Sequence, residues 1–264
     1  MKYLDTTIPK SEFNKEFREH YDSYYFSLRK EYLDIIDVNF YKKINLDLLV
    51  SSVSEKNISS SYIFHNICLY YSIKKFLSKR TIETIYVENT FLKKKIKPFY
   101  AGTINIRNNK KIPKINIFRI LLNQFLIFFI SKFISKDKKI KSKINLVDIF
   151  ITSNNLKIDR YYNNFFLNKK LFYYIPTFVN LSLIKIIGCL LYFNKKNYIL
   201  KSQFMTFKDF LYSINFTFRV DKIKIENIFF RKLNIKDLIL RELYLRQNLN
   251  ASIIGLQNYL FAKN

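Results

Sequence analysis

Glycine is nearly missing from this chain of 264 residues: Gly102, Gly188 and Gly255 are the only three, and they lie far apart. That spacing excludes both the G-x-G-x-x-G fingerprint of dinucleotide-binding folds and the Walker pattern of phosphate-binding loops. Two cysteines, Cys68 and Cys189, are too few for a disulfide framework or a structural zinc site, which suits a reducing cytoplasm. The two histidines, His20 and His65, belong to no metal-ligand spacing. His65 is open to a catalytic reading or to that of a core or capping residue. The sequence also lacks a G-x-S-x-G elbow, a C-x-x-C pair and a D-x-D cluster, which excludes hydrolases of the serine-elbow type and argues against a metal-dependent glycosyltransferase of the D-x-D kind. The opening MKYLDTTIPKSEF has no apolar core of a secretory leader. Tryptophan is absent and alanine is confined to Ala101, Ala251 and Ala262, the skew of an AT-rich coding sequence.

What the chain has in excess is positive charge. Against 20 acidic residues stand 46 basic ones, a formal net charge of +26, part of which reflects the same codon bias acting on solvated faces. Such a charge favours polyanions or an anionic membrane surface. Its lysine clusters, at 93–97, 136–143 and 195–196, are scattered between predicted elements, and no zinc-finger spacing or RNP-type strand accompanies them, so no specific nucleic-acid partner is expected.

The chain is organised around residues 145–178, where two apolar runs, 146–151 and 171–175, flank a polar loop. Runs rich in β-branched and aromatic residues are predicted to be strands of a buried parallel sheet. Ligands in open α/β sheets collect beyond the carboxyl ends of the strands, which singles out Thr152, Ser153, Asp159 and Arg160. Asp159 and Arg160 also read as a helix cap or a surface pair. The same grammar is predicted upstream. A strand over 46–50 passes into a loop carrying Ser52, Ser54, Glu55, Lys56 and Asn57, then into a helix over 62–77 whose start, at Ser59, Ser60 and Ser61, could hold an anion on free N–H groups. A further strand over 82–87 delivers Glu88 and Asn89, a base candidate and its neighbour, or simply a helix cap.

Residues 1–45 read as a helical lead-in and 98–114 as irregular, punctuated by Pro98, Gly102 and Pro113. The helix predicted over 115–134 is the most apolar, with Arg119, Asn123, Ser131 and Ser135 as a narrow polar stripe, and KDKKIKSK follows it. Twelve uncharged residues between Arg119 and Lys132 are too few to span a bilayer. That helix either packs on the sheet as a crossover or lies in a membrane interface, and does both if one face stays uncovered. Beyond it, 181–193 and 205–213 read as helices, 216–220 as a short edge strand, and 235–261 as one long helix or two.

Three segments, LDLLVSSVSEKNISSSYIFHNICLYYSIKKFL, IETIYVENTFLKKKIK and VDIFITSNNLKIDRYYNNFFLNKKLFYYIPTFV, resemble in their order the amino-terminal half of bacterial glycosyltransferases of the GT-B type that build surface polysaccharide. The resemblance runs over residues 44–262. It implies an α/β fold with a Rossmann-like parallel sheet flanked by helices: a single GT-B-like half over 46–264 with a helical carboxyl-terminal end. The resemblance also implies that the donor-binding second domain is missing from these residues, through truncation, a split gene or a fragmentary record. On this likeness the chain is the acceptor-side domain of a metal-independent glycosyltransferase, incomplete as a catalyst alone. Ser52, Ser54, Glu55, Lys56, Asn57, Asn89, Ser153 and Arg160 would face the acceptor, and Asp159 or Glu88 would be the base. The implied partners are a glycan or lipid-linked acceptor and a second glycosyltransferase domain. The chain itself would bind no cofactor, a nucleotide sugar entering only with that domain, and it would work in the cytoplasm at the inner face of the membrane. The alternative is a non-enzymatic basic module of the membrane surface or of an assembly, ahead of a third reading, nucleic-acid binding without sequence specificity.

Overall fold

Alternating burial marks the strand that holds the first sheet together. In β2 (Thr84–Val87) the side chains of Ile85 and Val87 are buried while those of Thr84 and Tyr86 are half-buried, the two-residue period of a pleated strand. The computed structural model describes residues 2–41, 46–51, 53, 58–59, 61–107, 117–134, 145–151, 172–178, 181–193, 198–219, 222–243 and 246–263. The chain is α/β with small parallel sheets, and it divides into two units, Met1–Ile115 with Thr217–Ser252, and Asn116–Phe216 with Ile253–Asn264. The span 46–264, read from the sequence as one Rossmann-like domain, is thus shared between them.

In the first unit, β2 is central, paired in parallel with β1 (Tyr3–Asp5) on one side and β3 (Thr103–Ile106) on the other. Between β1 and β2 the chain forms α1 (Lys15–Ser27), α2 (Arg29–Ile36), a π-helical turn (Asp37–Tyr41), α3 (Leu46–Leu49) and α4 (Tyr62–Leu77), whereas α5 (Thr90–Ile96) connects β2 to β3. Residues 1–45, the predicted lead-in, therefore supply an edge strand and part of the helical cover. α4 is the buried centre of that cover: Ile63, Phe64, Ile67, Cys68, Leu69, Ile73 and Phe76 are all shielded, so the helix is apolar around most of its circumference. Phe76 meets Phe17 of α1 edge to face at 5.6 Å, and Phe64 meets Tyr32 of α2 at 5.0 Å. Asn14 starts α1 by accepting from the N–H groups of Glu16 and Phe17.

Two predicted strands are helices. Residues 46–50 contain α3, and 216–220 contain α9 (Phe216–Arg219). The two short apolar runs are tied to each other by Arg219, whose Nη2 and Nε donate to the two Asp47 carboxylate oxygens at 2.8 and 3.0 Å. Conversely, the region 98–114 contains β3, and the extreme amino terminus contains β1.

The second unit has its own sheet. β4 (Asn145–Ile151) pairs in parallel with β5 (Phe172–Phe178), and a parallel bridge from Tyr174 to Tyr198 extends it. Helices α6 (Ile117–Ile134) and α7 (Leu183–Phe193) pack on this sheet around Ile149, Ile151, Tyr174, Ile186, Leu190 and Tyr198, with Ile127 and Ile130 of α6 at the margin. Helix α8 (Phe207–Ile214) is closed by a Thr206–Asp209 capping box. Among the described residues β4 and β5 form a sheet of their own, separate in its hydrogen bonding from the three-stranded sheet around β2. A short antiparallel pair, β6 (Phe229–Phe230) with β7 (Leu233–Asn234), precedes α10 (Lys236–Leu243) and α11 (Arg246–Lys263).

Candidate functional site

Because β1, β2 and β3 are parallel, the residues that follow them collect on one edge: Thr6 and Thr7 after β1, Glu88 and Asn89 after β2, and Arg107 after β3. Asp5, the last residue of β1, is buried there, and both of its oxygens are engaged. One accepts from the Thr7 backbone N–H at 2.9 Å and from the Thr7 hydroxyl at 2.6 Å, and the other accepts from Arg107 at 2.7 Å. Burial alone would raise the Asp5 carboxyl, but the two Thr7 bonds and the Arg107 guanidinium outweigh it and hold the group below its ordinary value. Asp5 is thus a fixed anion that positions Arg107. Arg107 in turn spreads over the Tyr86 ring at 4.4 Å from its centroid, with 55% of its side chain open to water.

Asn89, fully buried, organises the other half of the rim. Its Oδ1 caps α5 by accepting from Leu92 N–H at 2.9 Å, while Nδ2 donates to the Tyr62 hydroxyl at 2.8 Å and to Asn66 Oδ1 at 2.6 Å. Both amide protons are used within the chain, which makes Asn89 a positioning residue that fixes Tyr62 and Asn66 beside the strand end. Burial raises the Tyr62 phenol, the nearby Arg241 opposes the shift and Glu88 adds to it. Tyr62 is therefore neutral at ordinary pH, and Arg241 lies over its ring at 5.3 Å. Glu88 is half-buried in the same neighbourhood. A carboxylate, a phenol and two guanidinium groups on one rim can bind and orient hydroxyl groups, and the carboxylate can accept a proton.

Of the residues singled out in the sequence, Glu88 and Asn89 stand at a strand's carboxyl end as expected. Ser52, Ser54, Glu55, Lys56, Asn57, Ser153, Asp159 and Arg160 lie outside the described residues. The strand expected ahead of Ser52 is replaced by the helix α3 over Leu46–Leu49. The anion expected at the start of α4 is part of the protein. Ser61 Oγ accepts from Phe64 N–H and bonds the Tyr32 hydroxyl, and the buried Glu242 carboxylate accepts from Ile63 N–H at 3.2 Å. His65 is bonded through Nδ1 to the Tyr21 hydroxyl at 2.7 Å, and burial lowers its pKa to about 4, which fits the reading of a satisfied core histidine.

Sequence reasoning missed Asp5, Thr6, Thr7, Tyr62, Asn66, Arg107 and Arg241. The signals were slight: an apolar pair ahead of Asp-Thr-Thr at the amino terminus, and Ile104 and Ile106 alternating ahead of Arg107. Among the described residues, no three His, Cys, Asp or Glu side chains come together as a metal site. Comparison with protein-family models, curated proteins and solved structures finds no match to this chain.

Proposed function

We propose that this chain is the acceptor-side part of a glycosyltransferase of cell-surface polysaccharide synthesis, with a Rossmann-like first unit whose strand-end rim binds the hydroxyl groups of a glycan or lipid-linked acceptor. The observation that carries the reading is the placement of Asp5, Glu88 and Arg107 at the carboxyl ends of three adjacent parallel strands. Arg107, held by Asp5 and backed by Tyr86, and the neutral Tyr62 phenol orient the acceptor. Glu88 takes the proton of the attacking hydroxyl as its oxygen bonds to the sugar carbon and the nucleotide leaves. Asp159 remains the other base candidate. In this reading the nucleotide sugar is brought by a donor-binding domain, and transfer needs both parts.

Calorimetric titration with bacterial surface oligosaccharides tests binding. The expected result is heat of binding that Arg107→Ala abolishes and Glu88→Gln retains. Joined to its donor domain, Glu88→Gln should lose transfer by about 10²–10⁴-fold, the usual worth of a positioned base. Wild-type turnover in that variant would remove Glu88 from the role, and binding indifferent to Arg107→Ala would move the acceptor site elsewhere.

A further inference from the structure

The outer face of α6 is unusual for a helix packed on a sheet. Its inner side is committed: Ile120 and Phe128 are buried, Ile127 and Ile130 border the second sheet's core, and Ser131 turns its hydroxyl back onto the Ile127 carbonyl. The opposite side carries Phe118, Leu122, Phe129 and Phe133, which are 74%, 45%, 43% and 70% exposed. At 100° per residue these four and the half-buried Phe125 fall on one narrow arc, and the stripe runs about 22 Å along the helix. Phe207 of α8, 48% exposed, widens it beside Phe129, with ring centroids 6.0 Å apart. Of the polar stripe expected on this helix, Asn123 is half-buried and Ser131 is buried. The solvent face is aromatic.

We propose that this stripe is a docking surface for an anionic lipid bilayer, the helix lying in the plane of the interface with its phenylalanines in the headgroup and acyl boundary. Charge complementarity selects that occupant. The segments that flank α6 in the sequence, 108–116 and 135–144, hold eight lysines and a single acid, Asp137, in a chain of net charge +26. A second copy laid on the stripe would bring like charges together, whereas an anionic leaflet neutralises them. Among the described residues no helix is long and apolar enough to cross a membrane, so the mode is lying on the surface, not spanning it. The inference goes beyond the acceptor reading and rests on a different unit, and vesicle binding without any glycan present stands or falls separately from it.

The chain has 0 tryptophans, so Phe133→Trp installs a single reporter on the stripe. With phosphatidylcholine vesicles containing phosphatidylglycerol, its emission should shift to the blue and the protein should sediment with the vesicles; with pure phosphatidylcholine both effects should be much weaker. Phe118→Ser with Phe133→Ser should weaken binding roughly tenfold or more, because each exposed ring contributes its transfer free energy. Unshifted emission in vesicle-bound protein, or unchanged binding by the folded double variant, would place the contact elsewhere and overturn the proposal. So would a wild-type dimer that ignores vesicles and dissociates when the two serines are introduced. Should the double variant fail to fold, the tryptophan reporter decides alone.

Discussion

Asp5 and Arg107, 102 positions apart in sequence, meet at 2.7 Å across the end of β2, so the pair exists only when all three strands of the first sheet are aligned. Because the Asp5 carboxyl is held below its ordinary value of 3.8, the folded chain releases its proton more readily than the unfolded one. Its contribution is complete above 3.8 and disappears as the pH falls through the lowered value. Urea midpoints measured against pH should show an acid limb that flattens in Asp5→Asn, at the cost of stability at neutral pH. Arg107→Gln should flatten it less, since the two Thr7 bonds remain.

Asn89 is the second anchor of the rim. Asn89→Ala removes the α5 cap and leaves the Asn66 carbonyl oxygen and the Tyr62 hydroxyl without the amide that joined them. A lost cap together with buried unsatisfied groups costs roughly 2–4 kcal/mol. Denaturation should show that loss, and Tyr62→Phe, which removes only one acceptor, should cost less.

The elements legible in the sequence were those with a long apolar pattern. α4 spans the predicted residues 62–77, β2 falls within 82–87, and β4, β5, α6 and α7 lie close to their apolar runs. The misreadings were short. LDLLV and FTFRV have the composition of strands, but Arg219 binds Asp47 from 172 positions away and both runs are helical, a tertiary pairing that no local pattern announces. β1 and β3, with three and four residues, are edge strands whose parallel partner is β2. Missing them hid Asp5 and Arg107, so half of the rim could not be assembled from the sequence. At the serine-rich start of α4, Ser61 caps the helix and the Ile63 N–H is taken by the Glu242 carboxylate, 179 positions downstream, a partner equally hidden from any local pattern.

Two glycines should respond in opposite directions. At Gly102 a Cβ would run into the Tyr100 hydroxyl and ring and approach the Glu83 carbonyl oxygen at 2.7 Å. Gly102→Ala must therefore displace Tyr100, whose hydroxyl donates to Ile82 O at 3.0 Å, and should destabilise by about 1–3 kcal/mol. At Gly188, inside α7, a Cβ meets nothing within 4 Å. Gly188→Ala should stabilise by about 0.5–1 kcal/mol through helix propensity. Paired denaturation curves check both signs.

His65 gives the fold a second acid sensitivity, in a different window from that of Asp5. Burial holds its imidazole at about 4, against an ordinary 6.5, so the unfolded chain binds a proton that the folded chain refuses. Stability from this group is intact above 6.5 and is lost as the pH falls to about 4. Burial also raises the Tyr21 phenol, so Tyr21 is the donor to a neutral Nδ1, and protonating that nitrogen would break the bond. His65→Gln should remove this upper part of the acid limb while leaving the lower part, owed to Asp5, in place. The C2 proton resonance of His65, followed by NMR, should titrate well below that of a free histidine; a midpoint near 6.5 would mean that Tyr21 and the surrounding core do not exclude the charged form.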